Sequence, residues 1–354
     1  MKYIKKVIGV DISKDSFVIR FGTLEFNQQQ KISKAFKFKN NKAGFNQLLK
    51  TINKINYFSS EEQTLEDIPV WFVMEATGVY YENLAYFLTE NKFSISVILP
   101  NKIKHFAKTL EIKSKTDEID AAIQTQFGLE KKLKPWSAPS ITLRSLKELS
   151  REYHTINKSL TQIKNRLHAK NYSYKPTAET LKRINEQKKL LKKQLKQIRE
   201  QIATIVKSDD QLYSKVKKII TTKGLQIITV VSVLGETNGF ALIQNKNQLT
   251  SYAGFDIQQS QSGNYKGKTR ISKKGNAYLR KAVYMPAISA ARYNENLKNL
   301  YKRLCITKIN KKIALVAVAR KLLILIYTLW KKDQEFIVNY ENVKTNLKNI
   351  NISS

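Results

Sequence analysis

Apolar and polar positions change period three times along the 354-residue chain, and each change marks a boundary. Residues 6–12, 16–22 and 34–39 are short, β-rich runs separated by polar turns, which predicts three consecutive strands. Residues 42–55 then show helical spacing through Phe45, Leu48, Leu49 and Ile52. The apolar run 70–74 predicts a buried strand, a helix follows from about 79 to 91, and 94–99 predicts another strand that Pro100 ends. Helices are expected over 102–110 and 116–129. From Leu143 a heptad takes over, with Leu146, Leu149, Tyr153, Ile156, Leu160, Ile163 and Leu167 spaced by threes and fours. A Pro-containing break at 171–176 precedes a second series: Leu181, Ile184, Leu191, Leu195, Ile198, Ile202 and Ile205, which lapses only at Lys188.

The order βββαβαβα, three antiparallel strands leading into parallel crossovers, is that of an RNase H-like domain. The fold class expected is therefore an α/β RNase H-like N-terminal domain over 1–135, then an α-helical coiled-coil hairpin over 140–207. A mainly α-helical domain over 212–333 and a polar, frayed, Asn-rich tail over 334–354 complete the chain. Within the third region, 219–236 predicts two helices joined at Gly224, 258–275 a polar loop, and 278–294 a long helix. The apolar run 314–330 is interrupted by Arg320 and Lys321, so a buried helix explains it better than a membrane span. The start MKYIKKVIGVDIS runs straight into a strand, and no secretory leader is expected.

Lys and Arg number 63 against 28 Asp and Glu, a formal net charge of +35 spread along the chain, which suits phosphate-bearing partners. A composition 42% hydrophobic supports packed cores, so disorder is not the main state. The single Cys305 excludes an intramolecular disulfide and fits a reducing cytosol. The histidines His105, His154 and His168 form no metal-ligand pattern.

In so basic a chain, four acids stand out. Asp11 and Glu75 each end an apolar strand, where an unpaired carboxylate is costly, and Asp117 and Asp120 are spaced i, i+3 on one helical face. Neighbouring strands in an RNase H-like sheet would bring these together as a site for two Mg²⁺ ions flanking a scissile phosphate. Taken singly, each acid has a plainer role: Asp11 as a cap on the turn before Lys14, Asp117 as a helix cap after Thr116, Asp120 or Glu118 as a solvated helix charge. The segment Gly9-Val-Asp-Ile-Ser13 is also similar to the first phosphate loop of actin-like ATPases, but the second glycine-rich loop and the adenosine pocket those enzymes need are not found in the sequence.

The segments Gly9-Val-Asp-Ile-Ser-Lys-Asp15, Met74-Glu-Ala-Thr-Gly-Val-Tyr80 and Lys115-Thr-Asp-Glu-Ile-Asp-Ala121 resemble those of the DEDD transposases, recombinases of the insertion sequence one-ten family. A second block agrees: Tyr252-Ala-Gly-Phe255, Gln261-Ser-Gly263, Arg270-Ile-Ser-Lys-Lys-Gly-Asn276, Leu279-Arg280 and Ala317-Val-Ala-Arg-Lys-Leu322. The resemblance covers nearly the whole chain. It implies that Asp11, Glu75, Asp117 and Asp120 bind Mg²⁺ and that Ser262 is a nucleophile in DNA strand cleavage and exchange. It further implies donor and target DNA as partners, a non-coding guide RNA that supplies specificity by base pairing, a homodimer or homotetramer, and a cytoplasmic, nucleoid-associated setting in a prokaryote with no membrane role. The chain departs from the family pattern at Gly254-Phe-Asp-Ile257, and its serine lies in Ser260-Gln-Ser-Gly263, so Ser260 stands as the alternative nucleophile and Ser272 as a third choice. Around the serine, Lys266, Lys268, Arg270, Lys273, Lys274 and the following Arg280 are candidate nucleic-acid ligands. Two other readings remain at this point: a junction-resolving nuclease using metal-activated water, and a non-catalytic RNA-binding scaffold on the basic helices.

Overall fold

The computed structural model describes residues 3–54, 68–76, 78–112, 114–241, 243–259, 261–262, 265–267, 269–307 and 310–337. The chain divides into two compact units, Met1–Ala138 and Pro139–Ser354.

The first unit is a mixed sheet covered on both faces. Strand β1 (Tyr3–Ile12) pairs antiparallel with β2 (Ser16–Glu25), and β2 also carries β3 (Gln30–Ile32) and β4 (Phe36–Lys39). On its other edge β1 pairs parallel with β5 (Val70–Glu75), which pairs parallel with β6 (Ser94–Ile98). The order β3-β2-β1-β5-β6 matches the expected topology, with β4 as the third predicted strand and β3 an additional short piece. The missed piece, β3, is exposed along its length and so shows no apolar alternation.

Strand periodicity sorts the core. Ile8, Val10, Ile12, Phe72 and Met74 face one way and pack on α1 (Lys42–Lys54) and α2 (Glu82–Glu90) through Phe45, Leu48, Ile52, Leu84 and Leu88. Val7 and Val73 face the other way and pack on α3 (Pro100–Thr109) and α4 (Asp117–Glu130) through Ile103, Phe106, Ile123 and Phe127. Pro100, expected only to end a strand, also opens α3, where its missing N–H costs nothing. Helix α4 lies unusually close to the sheet because Gly9 has no side chain: a Cβ there would fall 2.3 Å from the backbone nitrogen of Thr125. Thr125 reinforces the seam, its hydroxyl donating to the carbonyls of Ala121 and Arg20.

Among the described residues the second unit is helical apart from two short β-pairs. Two long helices, α5 (Ile141–Asn171) and α6 (Ala178–Lys207), pack along each other, burying Leu146 and Leu160 from one and Ile184, Leu195, Ile198 and Ile202 from the other. The start of α5 also joins the core of α7 (Asp210–Ile220), α8 (Ile227–Thr237), α9 (Lys246–Ala253), α10 (Ala277–Tyr293), α11 (Glu295–Thr307) and α12 (Lys311–Lys332). The turn at Gly224 is as expected: its φ of +100° and a Cβ position 2.8 Å from the Ala290 backbone both require glycine. By length and composition α12 passes as a membrane span, but Ala314, Val318, Ala319, Leu322, Leu323 and Ile326 bury in this core.

The stretch expected as a polar loop instead forms a ribbon arm. Its base pairs β7 (Ile257–Gln258) with β10 (Arg270–Ile271), and its outer part pairs β8 (Gln261–Ser262) with β9 (Tyr265–Lys266). Strands of two residues each are too short to show an alternating hydrophobic pattern. The expected frayed tail lies outside the described residues from 338 onward.

Candidate functional site

Asp11 is the penultimate residue of β1 and Glu75 the last of β5, one step beyond the paired Val10 and Met74, so two carboxylates end neighbouring parallel strands. Both share the strand parity of Val7 and Val73, the face covered by α4. Asp117 and Asp120 lie in the first turn of that helix. The close approach allowed by Gly9 therefore sets the first turn of α4 beside the strand ends.

The plainer roles for two of these acids are filled by other side chains. Ser13 closes the turn after β1, its hydroxyl donating to the Ser16 carbonyl and accepting from the Ser16 N–H. Thr116 caps α4, accepting from the Ile119 N–H at 3.2 Å, which leaves Asp117 free of capping duty. Glu118 faces away toward Arg20, 3.4 Å from its guanidinium, and is exposed.

Electrostatics shows the acids acting on one another. Burial, then the charges of Asp120, Asp117 and Glu75, push the Asp11 carboxyl up to about 6, opposed by Lys115. Burial and then Asp120 raise Glu75, and burial likewise raises Asp120, with Lys115 again opposing. Like charges gathered in a half-buried pocket hold carboxyls above their usual range, and a cation relieves the strain.

One residue missed in the sequence belongs here. Gln124, one turn beyond Asp120, is 1% exposed and donates its Nε2 to Asp11 Oδ1 at 3.4 Å, while its buried Oε1 finds no hydrogen-bond partner among the described residues. An amide on the small-residue face of α4, with Ala121, Thr125 and Gly128, was the available signal. The donor set fits a hard divalent cation: carboxylate oxygens only, mutually repelling, with an unsatisfied buried oxygen beside them. Among the described residues no three His, Cys, Asp or Glu side chains enclose a single position for an ion. Magnesium characteristically takes one or two carboxylates and completes its shell with water and substrate phosphate, so an open set is compatible with it.

In the second unit, Ser262 is exposed on β8 with its backbone paired to Tyr265. Ser272 is committed elsewhere, its hydroxyl donating to Asp256 Oδ1 at 2.6 Å. Arg270, Lys273 and Lys274 are exposed on the returning leg of the ribbon, and Lys266 stands on β9. Ser260 and Lys268 lie outside the described residues. Arg280 is turned inward, its Nη1 donating to the carbonyls of Ala253 and Gly275.

A DEDD transposase family model matches residues 8–174, and one described as transposase, IS116/IS110/IS902 family, matches residues 216–302. The pilin gene-inverting proteins of Moraxella bovis and Moraxella lacunata are each 27% identical over 335 residues, spanning 94% of this chain and 98% of theirs. The solved Aquifex aeolicus PPX-GPPA enzyme aligns over 94% of both chains at 10% identity, with a TM-score of only 0.21.

Proposed function

This chain belongs to the IS110 family of transposases, DNA-acting recombinases that use divalent metal, and on that premise we propose that Ser262 is its nucleophile and Mg²⁺ its metal. What supports the metal half is that Asp11 and Glu75 end neighbouring strands with Asp117 and Asp120 in the first turn of α4, and that burial and the charges of the other three acids push the Asp11 carboxyl up to about 6.

In this reading Asp11, Glu75, Asp117 and Asp120 hold the ions, which when bound supply positive charge to a DNA phosphate. Gln124 keeps the Asp11 carboxylate oriented through its Nε2–H. Ser262 Oγ attacks a phosphodiester phosphorus: a P–O bond to serine forms, one P–O bond to a sugar breaks, the hydroxyl proton departs, and the leaving sugar oxygen takes up a proton. Attack of the exchanged strand's sugar oxygen on the phosphoserine then restores the serine, so no bond energy is lost. Arg270, Lys273 and Lys274, with Lys266 and Lys268, hold the phosphate backbone. A reaction that conserves its phosphodiester bonds suits the segment inversion named for the Moraxella relatives.

The finer parts of the proposal are a non-coding RNA that chooses the DNA by pairing, and a coiled-coil α5–α6 pair that brings two or four copies together. The basic outer faces of these helices and the net charge of +35 support a nucleic-acid partner. The test is to incubate the protein with Mg²⁺ and DNA flanking its own coding region, and denature. A protein–DNA adduct is expected with the natural chain and none with Ser262→Ala. Cleavage without an adduct would put a water-using nuclease in its place. Sequencing the RNA that copurifies tests the guide: one discrete RNA matching that flanking DNA supports it, and random RNA rejects it.

A further inference from the structure

The ribbon arm that carries Ser262 leaves the helical unit at Tyr252 and returns at Asn276, and its two legs are pinched together at the base. The Asn276 N–H donates to the Tyr252 carbonyl at 2.8 Å, and the Ser272 N–H to the Asp256 carbonyl at 2.8 Å. Arg280 bridges the carbonyls of Ala253 and Gly275 at 2.7 and 3.3 Å. The legs run so close that a Cβ at Gly275 would sit 2.5 Å from the Tyr252 oxygen. A ribbon joined this way is aimed from its base.

That base is fixed to the rest of the unit by one acid. Glu236, at the end of the apolar helix α8, has a side chain only 2% exposed. Its carboxylate accepts from Arg151 of α5 twice, Nε at 2.6 Å and Nη2 at 2.9 Å, and from Asn276 Nδ2 at 2.7 Å. Its main-chain carbonyl accepts the Tyr252 hydroxyl at 3.1 Å. Both legs of the arm and the long helix α5 thus converge on one residue. Arg151 is itself pinned, its guanidinium 4.3 Å from the Tyr278 ring. Beside it, α8 meets α5 with no side chain between them: a Cβ at Gly235 would fall 2.8 Å from the Lys147 backbone. A buried carboxylate is tolerated only when its oxygens are satisfied, so the three donors and the acid fix one another's directions, and the Tyr252 hydroxyl ties the arm to the Glu236 main chain.

We propose that Glu236 is a positioning residue that sets the aim of the Ser262 arm relative to the α5–α6 helix pair, with Tyr252 and Asn276 as its two links to the arm. This rests on the reading of Ser262 as the nucleophile. It assigns the Glu236 network a role in strand cleavage without contact with DNA. A purely structural network would alter the melting temperature and leave the rate of the folded protein untouched.

The test cuts the two links and spares the ion pair. Asn276→Ser keeps an oxygen to cap α10, where Asn276 Oδ1 now accepts from Tyr278 and Leu279, but removes the donor to Glu236. Tyr252→Phe removes the hydroxyl. At saturating DNA the double variant is expected to form the serine adduct about tenfold more slowly or worse, with the half-saturating DNA concentration unchanged, since small misplacement of a reacting group is costly in rate. A folded double variant that reacts at the natural rate overturns the proposal. Spin labels at exposed Gln261 and Lys158, in a Cys305→Ser background, give a second readout in Tyr252→Phe alone: the arm-to-helix distance distribution should broaden, and an unchanged width also overturns it. Ser262→Ala run in parallel separates the two ideas. An adduct surviving in Ser262→Ala defeats the serine assignment, while the label distances still judge Glu236.

Discussion

Replacing Asp11 with Asn should make the metal-free protein more stable at neutral pH while disabling it. The Asp11 carboxyl stands at about 6 against an ordinary 3.8. Because the folded value is raised, the native state keeps a proton that the unfolded chain releases as pH climbs from about 4 to about 6. Stability therefore falls across that window, and the full penalty stands above it. Two pKa units correspond to roughly 3 kcal/mol for a group fully shielded from solvent. Asp11 is only half-buried, and screening reduces this to about 1 kcal/mol. For a unit of this size that is a rise of roughly 3–5 °C in melting temperature. The assay is thermal unfolding by circular dichroism in EDTA at low salt, at pH 7.5 and pH 4.5. Asp11→Asn should melt higher than the natural protein at pH 7.5, with the gain largely gone at pH 4.5, where Asp11 is already protonated. A variant that melts lower at pH 7.5, or gains equally at both pH values, would refute the picture of four acids straining one another.

Other outcomes follow from the same geometry. Mg²⁺ or Mn²⁺ should raise the melting temperature of the natural protein at pH 7.5 and do so less at pH 5, as the acids protonate; calorimetric titration checks the matching loss of affinity. Glu75→Gln and Asp120→Asn should abolish strand cleavage yet keep salt-sensitive DNA binding in a filter assay, whereas Glu118→Gln, which only loosens an exposed pair with Arg20, should cleave normally. Gly9→Ala should cost about 1–3 kcal/mol or more, read by urea unfolding, because its Cβ would press on the α4 backbone.

The strand ends that carry Asp11 and Glu75 were legible because buried strands write their parity into the sequence, and an acid closing such a run violates it. The two heptad helices were legible for the same reason, through their spacing. What escaped was structure with no alternating signature: β3, exposed throughout, and the ribbon arm, whose strands are two residues each. Gln124 and Glu236 escaped because other polar residues share their helices, and only tertiary packing shows that these two are buried with their partners. Arg280 looked like a phosphate ligand by charge alone, while its guanidinium holds two carbonyls at the base of the arm.

The most direct test of the central claim is to digest the trapped protein–DNA adduct and map the modified peptide by mass spectrometry. Ser262 should carry a nucleotide phosphate, formed only with divalent metal and absent in Asp11→Asn. A phosphate on another residue, or DNA cut efficiently with no residue modified, would contradict it.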